Sequence, residues 1–310
     1  MQLFITVGLT FSYAAGPYLT IKYFNILCLI FPALFLILFF VFIPESPYYL
    51  LQVNKNKEAE ESLMKLRSSS GKAVKIELES IRRSVEETKA NKAGFTDIFA
   101  TRSTTKAFII SLSLVAFQQL SGINVIIFYA QDIFKSAGST LAPEISAILI
   151  GVVQILSSGA TPVLVERSGK RFLLLVSASG MTLSLAVLAY YFYLLEKKED
   201  VSNISLLPIV CLVVFIIVYC LGFGPLPWAV MGELFPGNIK SIASTCTASF
   251  CWILGFIITK YFNLLSDKIG QSGSFGFFSL CCLVAANFIL LYLPETTGKS
   301  LQEIQLLLSK

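Results

Sequence analysis

Apolar residues fill this chain in long uninterrupted stretches, and the polar residues gather between them. Residues 1–21 contain no acidic or basic side chain, and residues 24–43 and 107–130 form two more such runs. Further apolar stretches cover 145–165, 172–195, 206–232, 241–259 and 273–293. A helix needs about 20 predominantly apolar residues to cross the hydrocarbon of a bilayer. The pattern therefore predicts eight transmembrane helices. Residues 51–106 interrupt it, being polar and carrying 12 of the 24 Lys and Arg residues. Within them Leu63, Leu66, Ile76, Leu78, Ile81 and Val85 recur at roughly helical spacing. That spacing predicts two or three short amphipathic helices on the membrane face, with a solvated linker as the alternative.

Composition removes whole classes of function. Of 310 residues, 55% are hydrophobic and 14% charged, and the mean hydropathy is +0.75. A soluble domain of this size cannot hide so much apolar surface, so the expected fold class is an all-α polytopic membrane protein whose constant partner is the lipid bilayer. The net charge of +5 reflects where loops fall and is no nucleic-acid footprint. All seven cysteines lie in apolar runs, none pairs as CxxC, and there is no histidine. Zinc and haem sites therefore have no ligand pattern, no cofactor is implied, and the thiols read as buried packing residues. No nucleophile–base pairing appears, so enzyme activity is not expected.

Polar residues inside the spans are the candidate chemistry. Gln118, Gln119 and Asn124 lie in the run 107–130, where an amide is costly unless it meets a partner or a wet cavity. On a straight helix they would not converge: Gln119 lies about 100° and Asn124 about 240° round from Gln118. Ser121-Gly122 between them is placed to loosen the helix and turn the amides toward one cavity. Several amides without a charge suit a neutral, hydroxyl-rich solute, and interhelical packing is the alternative. In the sixth run, Gly222-Phe223-Gly224-Pro225-Leu226-Pro227-Trp228 must break helical hydrogen bonding. Trp228 offers a flat apolar face and an indole N–H; an interfacial anchor is its other reading. Counted from residue 107, the two interrupted spans are the first and fourth of a six-helix unit, corresponding places in two triplets, which points to a midplane transport site.

Five segments also carry a resemblance. Gln118-Gln119-Leu120-Ser121-Gly122-Ile123-Asn124 resembles the seventh-helix signature of the sugar porters of the major facilitator superfamily. Pro44-Glu45-Ser46-Pro47-Tyr48-Tyr49-Leu50 is similar to their motif after the sixth helix. Glu166-Arg167-Ser168-Gly169-Lys170-Arg171 is similar to the basic turn between the second and third helices of each half, with Lys170 where Arg is commoner. The stretch 222–236 and Pro294-Glu295-Thr296-Thr297-Gly298-Lys299-Ser300-Leu301, which echoes residues 44–46, complete the set. The overall look is closest to the arthropod facilitated trehalose transporters.

The resemblance implies a major facilitator fold with 1–50 as the last two helices of the N-terminal half and 51–106 as a cytoplasmic loop. It implies 107–294 as the complete six-helix C-terminal half, 295–310 as a cytoplasmic tail, and four helices of the first half absent from this chain. It implies sugar contacts from Gln118, Gln119, Asn124, Gln154, Trp228 and Gln2. Cys220 stands where a glutamate is frequent and Cys251 where an asparagine is frequent. Glu45, Glu166, Arg167, Arg171, Glu233 and Glu295 fall at cytoplasmic helix ends, where sugar porters close an inner gate with salt bridges; solvated surface charges are the other reading. With loop 51–106 inside, 18 Lys and Arg residues lie inside and six outside, and the sequon Asn203-Ile204-Ser205 faces the outside as a glycosylation candidate.

The expected function is facilitated diffusion of trehalose or a hexose by alternating access at the plasma membrane. The alternatives are a non-transporting sugar receptor or regulatory fragment, and a proton-coupled symporter if further helices exist.

Overall fold

The computed structural model describes residues 2–67, 71–90, 94–137 and 143–309; the chain is helical nearly throughout, and no strand occurs among them. In order the helices are α1 (Gln2–Ala15), α2 (Ile21–Phe42), α3 (Pro47–Gln52), α4 (Asn56–Arg67), α5 (Lys72–Ala90), α6 (Arg102–Leu120), α7 (Ile123–Phe128) and α8 (Ala130–Ser136). Then follow α9 (Pro143–Ser168), α10 (Lys170–Glu196), α11 (Leu207–Leu221), α12 (Leu226–Leu234), α13 (Gly237–Tyr292) and α14 (Leu301–Ser309). Prolines punctuate them: Pro47 opens α3, Pro236 precedes α13 and Pro294 follows it, positions where a missing N–H costs little. Among the described residues six helical stretches are long and apolar enough to cross a membrane. One of them, α13, has 56 residues and a non-helical break at Gly270 (φ 77°, ψ 169°), so it supplies two legs. At 14 residues, α1 is shorter than a spanning length by itself.

The chain divides into two compact units, residues 19–94 and residues 1–18 with 95–310. The smaller contains α2, which is apolar all round and has no buried residue, as a lipid-facing helix should be. It also contains α3, α4 and α5, whose apolar faces meet. Leu50, Leu51, Ala59, Leu63, Val74, Ile81 and Val85 form a small core, with Met64 and Leu78 packed on it. Leu66 and Ile76, expected on the same face, stay exposed. Arg67 pairs with Glu77 at the surface.

In the larger unit α13 packs on α10 and α6, α10 on α11, and α1 on α9. Phe215, Phe223, Phe275, Phe278, Leu114 and Met181 fill its interior. The approach of α1 to α9 is close: a Cβ on Gly151 would lie 2.6 Å from Thr10 Oγ1. Tyr13 ties α1 further by donating its hydroxyl to the Ile127 carbonyl at 2.7 Å. The outward faces, with Leu156, Leu183, Trp252, Phe256 and Leu291 exposed, are apolar as lipid contact requires. At the C-terminus α14 is docked, with Ile304 and Leu308 buried and Gln305 Nε2 donating to the Leu234 carbonyl at 2.6 Å.

The first leg of α13 runs through Lys260, Asp267 and Lys268, well past the charge-free run 241–259. Charged residues end an apolar pattern without ending a helix.

The break between α6 and α7 falls at Gly122, which adopts φ +78°. A side chain there would be strained, and its Cβ would lie 2.6 Å from the Phe278 ring. Gly122→Ala is expected to lower stability by about 1–3 kcal/mol, read as a drop in melting temperature of the purified protein. Adding Phe278→Ala should not make up the strain part of the loss; an unchanged melting temperature for Gly122→Ala would contradict the assignment.

Candidate functional site

Two adjacent helix breaks build the site. Between α11 and α12, Gly224 N–H turns back to the Tyr219 carbonyl at 2.8 Å, so the Cys220 carbonyl loses its usual donor four residues on. Thr161 Oγ1 on α9 supplies one at 3.0 Å. Pro227 has no N–H to offer the Phe223 carbonyl. Gln118 Nε2 on α6 supplies that bond at 2.6 Å and also reaches the Gly224 carbonyl at 3.0 Å. Ser177 Oγ accepts from Phe223 N–H at 3.2 Å. An unpaired carbonyl in an apolar bundle costs several kcal/mol by order of magnitude, so these side chains are placed by the break.

The other two amides are then drawn together. Because Gly122 turns the chain, Asn124 on α7 comes round to donate Nδ2 to Gln119 Oε1 at 2.6 Å. Gln119 Nε2 donates to Cys251 Sγ on α13 at 3.1 Å. The pair lies over Gly255, where an added Cβ would stand 2.9 Å from Gln119 Oε1 and 3.2 Å from Asn124 Nδ2. Gln118 and Gln119 are buried, whereas Asn124 is half-buried. Clustered amides of this kind offer donors and acceptors side by side without a charge, which matches a hydroxyl group, itself both donor and acceptor.

Gln154 on α9 is buried, and its Oε1 has no hydrogen-bond partner among the described residues. Trp228 on α12 is half-buried, as is Gln2 at the start of α1. No hydrogen bond joins Gln2, Gln154 or Trp228 to the amide cluster among the described residues. Asn203 is exposed on a short 3-10 turn, Ser202–Ile204.

The charged residues expected at helix ends separate into kinds. Glu295 lies at the N-terminus of α10: Oε1 accepts from Lys170 N–H at 3.3 Å and Oε2 from Arg171 N–H at 3.2 Å. Its Oε1 also accepts from Thr296 and Thr297 N–H. Gly169, at φ +79°, makes the turn and leaves room, since a Cβ there would lie 2.9 Å from Glu295 Oε2. A carboxylate at a helix N-terminus meets orphan N–H groups and the positive end of the dipole. Lys170 forms an ion pair with Glu233; its contribution was not foreseen from the sequence, where the position stood out only as a departure from Arg. Arg171 Nη2 donates to the Leu290 carbonyl at 2.6 Å. Glu166 and Arg167 are exposed and form no ion pair among the described residues. In the smaller unit, Glu45 is exposed and accepts from Ser46 N–H at 2.9 Å. At the other end of α10, Glu196 accepts from Ser272 N–H at 3.1 Å, capping the second leg of α13.

Comparison with known proteins gives consistent matches. The model of the family "Sugar (and other) transporter" matches residues 1–308. The facilitated trehalose transporter Tret1 of Anopheles gambiae is 37% identical over 304 residues, 97% of this chain and 38% of that protein. The Tret1-2 homolog of Drosophila sechellia is 36% identical over 301 residues, 96% of this chain and 61% of that protein. The chain thus spans between about a third and three fifths of the length of these curated relatives. Among solved structures, the inward-open xylose transporter XylE from E. coli aligns with a TM-score of 0.76 at 21% identity, covering 99% of this chain and 64% of that one. XylE bound to 6-bromo-6-deoxy-D-glucose aligns with a TM-score of 0.73 over 98% and 64% of the two chains. The shared fold is that of the major facilitator superfamily, and the chain is a multi-pass membrane protein.

The helix-end carboxylate has a measurable consequence. Burial works against ionisation of Glu295, but the hydrogen bonds from Thr297, Arg171 and Lys170 together hold its carboxyl below the ordinary 4.5. A carboxyl with a lowered native pKa stabilises the fold while ionised, fully at neutral pH, and the contribution is lost as the pH falls from 4.5 through the native value. Glu295→Gln should therefore melt below the wild type at neutral pH, with the gap closing on acidification past 4.5. A gap that stays constant with pH would contradict the capping role.

Proposed function

The chain belongs to the family of sugar (and other) transporters, and from that premise we propose that it carries a neutral sugar, trehalose or a hexose, by facilitated diffusion. The observation that carries the reading is the meeting of Gln119 and Asn124 at one helix break beside Gln118 at a second. Broken helices at equivalent places in repeated triplets are where transporters bind solutes near the bilayer midplane. Gln118, Gln119 and Asn124 form the polar wall, Gln154 adds an unpartnered buried acceptor, and Trp228 supplies an apolar face for sugar C–H surfaces. Gln2 contributes from α1. The relatives, facilitated trehalose transporters, support a disaccharide or its component hexose over other neutral solutes.

Transport proceeds by alternating access, with sugar shifting the balance of conformations and no covalent step. Residues 107–294 act as the six-helix C-terminal half, composed of α6 with α7, α9, α10, α11 with α12, and the two legs of α13. Residues 1–50 act as the last two helices of the preceding half. The inner gate of the larger unit is built from Lys170, Arg171, Glu233 and Glu295, with Glu166 and Arg167 as the exposed charges through which it extends. The protein resides in the plasma membrane, with residues 51–106 and the C-terminus in the cytoplasm and Asn203 outside, exposed for glycosylation.

Uptake of labelled trehalose and labelled glucose into proteoliposomes tests this. Saturable uptake by the wild type is expected for at least one of them. Gln119→Ala combined with Asn124→Ala removes two or more hydrogen bonds of about 0.5–1.5 kcal/mol each and should cut uptake at sub-saturating sugar roughly tenfold or more. Unchanged uptake in the double variant would show that the site lies elsewhere.

A further inference from the structure

Cys251 sits at the centre of the amide cluster. Its side chain is fully buried. Sγ accepts from Gln119 Nε2 at 3.1 Å and lies 4.0 Å from Gln118 Oε1, within reach of a long S–H donation. One thiol thus joins the two glutamines, and it does so in opposite senses, because the acceptor atom of Gln118 and the donor atom of Gln119 face it. Gln118 Nε2 is thereby left to the Phe223 and Gly224 carbonyls, and Gln119 Oε1 is left to Asn124. The arrangement runs from the broken helix through Gln118, Cys251 and Gln119 to the half-buried Asn124. One turn further along α13, Gly255 provides the floor on which Gln119 and Asn124 lie.

We infer that Cys251 is a positioning residue of the solute site: its thiol sets the orientation of both glutamine amides and holds Gln119 by a bond weak enough to be exchanged for a sugar hydroxyl. The inference rests on the sugar-site reading above. Its physical basis is the poor hydrogen-bonding power of sulfur. An amide N–H held by an oxygen acceptor would give up a strong bond to reach a ligand. Held by a thiol, the same N–H gives up little, so most of the new bond to a sugar oxygen appears as affinity. The thiol thereby reconciles two needs, a fixed amide orientation before binding and a free donor during it.

The test combines equilibrium binding of labelled trehalose and labelled glucose to the purified protein in nanodiscs with infrared spectra of the S–H stretch. The band of Cys251 is assigned by difference against Cys251→Ser. Cys251→Ala, which loses the amide orientation, is expected to bind sugar about tenfold more weakly, and Cys251→Ser, whose oxygen holds the Gln119 N–H more firmly than sulfur, about threefold to tenfold more weakly than the wild type. Saturating sugar is expected to shift the wild-type S–H band as Gln119 leaves the sulfur. Either variant binding as tightly as the wild type, or a wild-type S–H band that saturating sugar leaves unmoved, overturns the inference. If the wild type binds neither sugar, the substrate reading falls, and the thiol's role is decided by the band alone. Its shift in Gln119→Leu upholds the role, and an unmoved band overturns it.

Discussion

A carbonyl left without a donor inside an apolar bundle is the constraint on which this site depends. Pro227 removes the N–H that Phe223 would use, and the turn of Gly224 onto Tyr219 removes the one Cys220 would use. Neither lipid nor the apolar interior offers a substitute, so the bonds must come from neighbouring helices. Thr161 on α9 and Gln118 on α6 provide them. Of the three amides in the span 107–130, Gln118 therefore gives its amide nitrogen to holding the fold while it stands in the proposed polar wall. The two that remain, Gln119 and Asn124, hold each other and lean on Cys251 and Gly255 of α13. The proposed binding surface is what the repair of a broken helix leaves over.

The same economy operates at the helix ends. Glu295, beyond the far end of α13, caps the N-terminus of α10, and Glu196, the last residue of α10, caps the second leg of α13. Two antiparallel helices are thus pinned at both ends by carboxylates on backbone N–H groups.

Much of this was legible in the sequence, for identifiable reasons. Charge-free runs from residue 24 onward located the long apolar helices, because hydrocarbon length and backbone satisfaction leave few alternatives. The run 1–21 holds a helix of 14 residues, shorter than a spanning length. Ser121-Gly122 and the paired prolines located the breaks, because those residues disrupt helical bonding by their own chemistry. What stayed hidden depended on three-dimensional pairing. Lys170 looked like a conservative departure until Glu233 met it. The helix 301–309 looked like a tail because nine residues carry little pattern, and only the orphan carbonyl of Leu234 explains its docking through Gln305. The extension of α13 past Lys260 was obscured because charge marks the edge of the bilayer and not the end of a helix. Cys251, read as a packing thiol, gained its role only when two amides from another helix were brought to its sulfur.

The most direct test of the central claim is photoaffinity mapping with a trehalose that carries a diazirine, followed by digestion and mass spectrometry of the labelled protein. The account requires label within residues 118–124 and 223–228, suppressed by excess unlabelled trehalose. Competable label confined to other segments would contradict it.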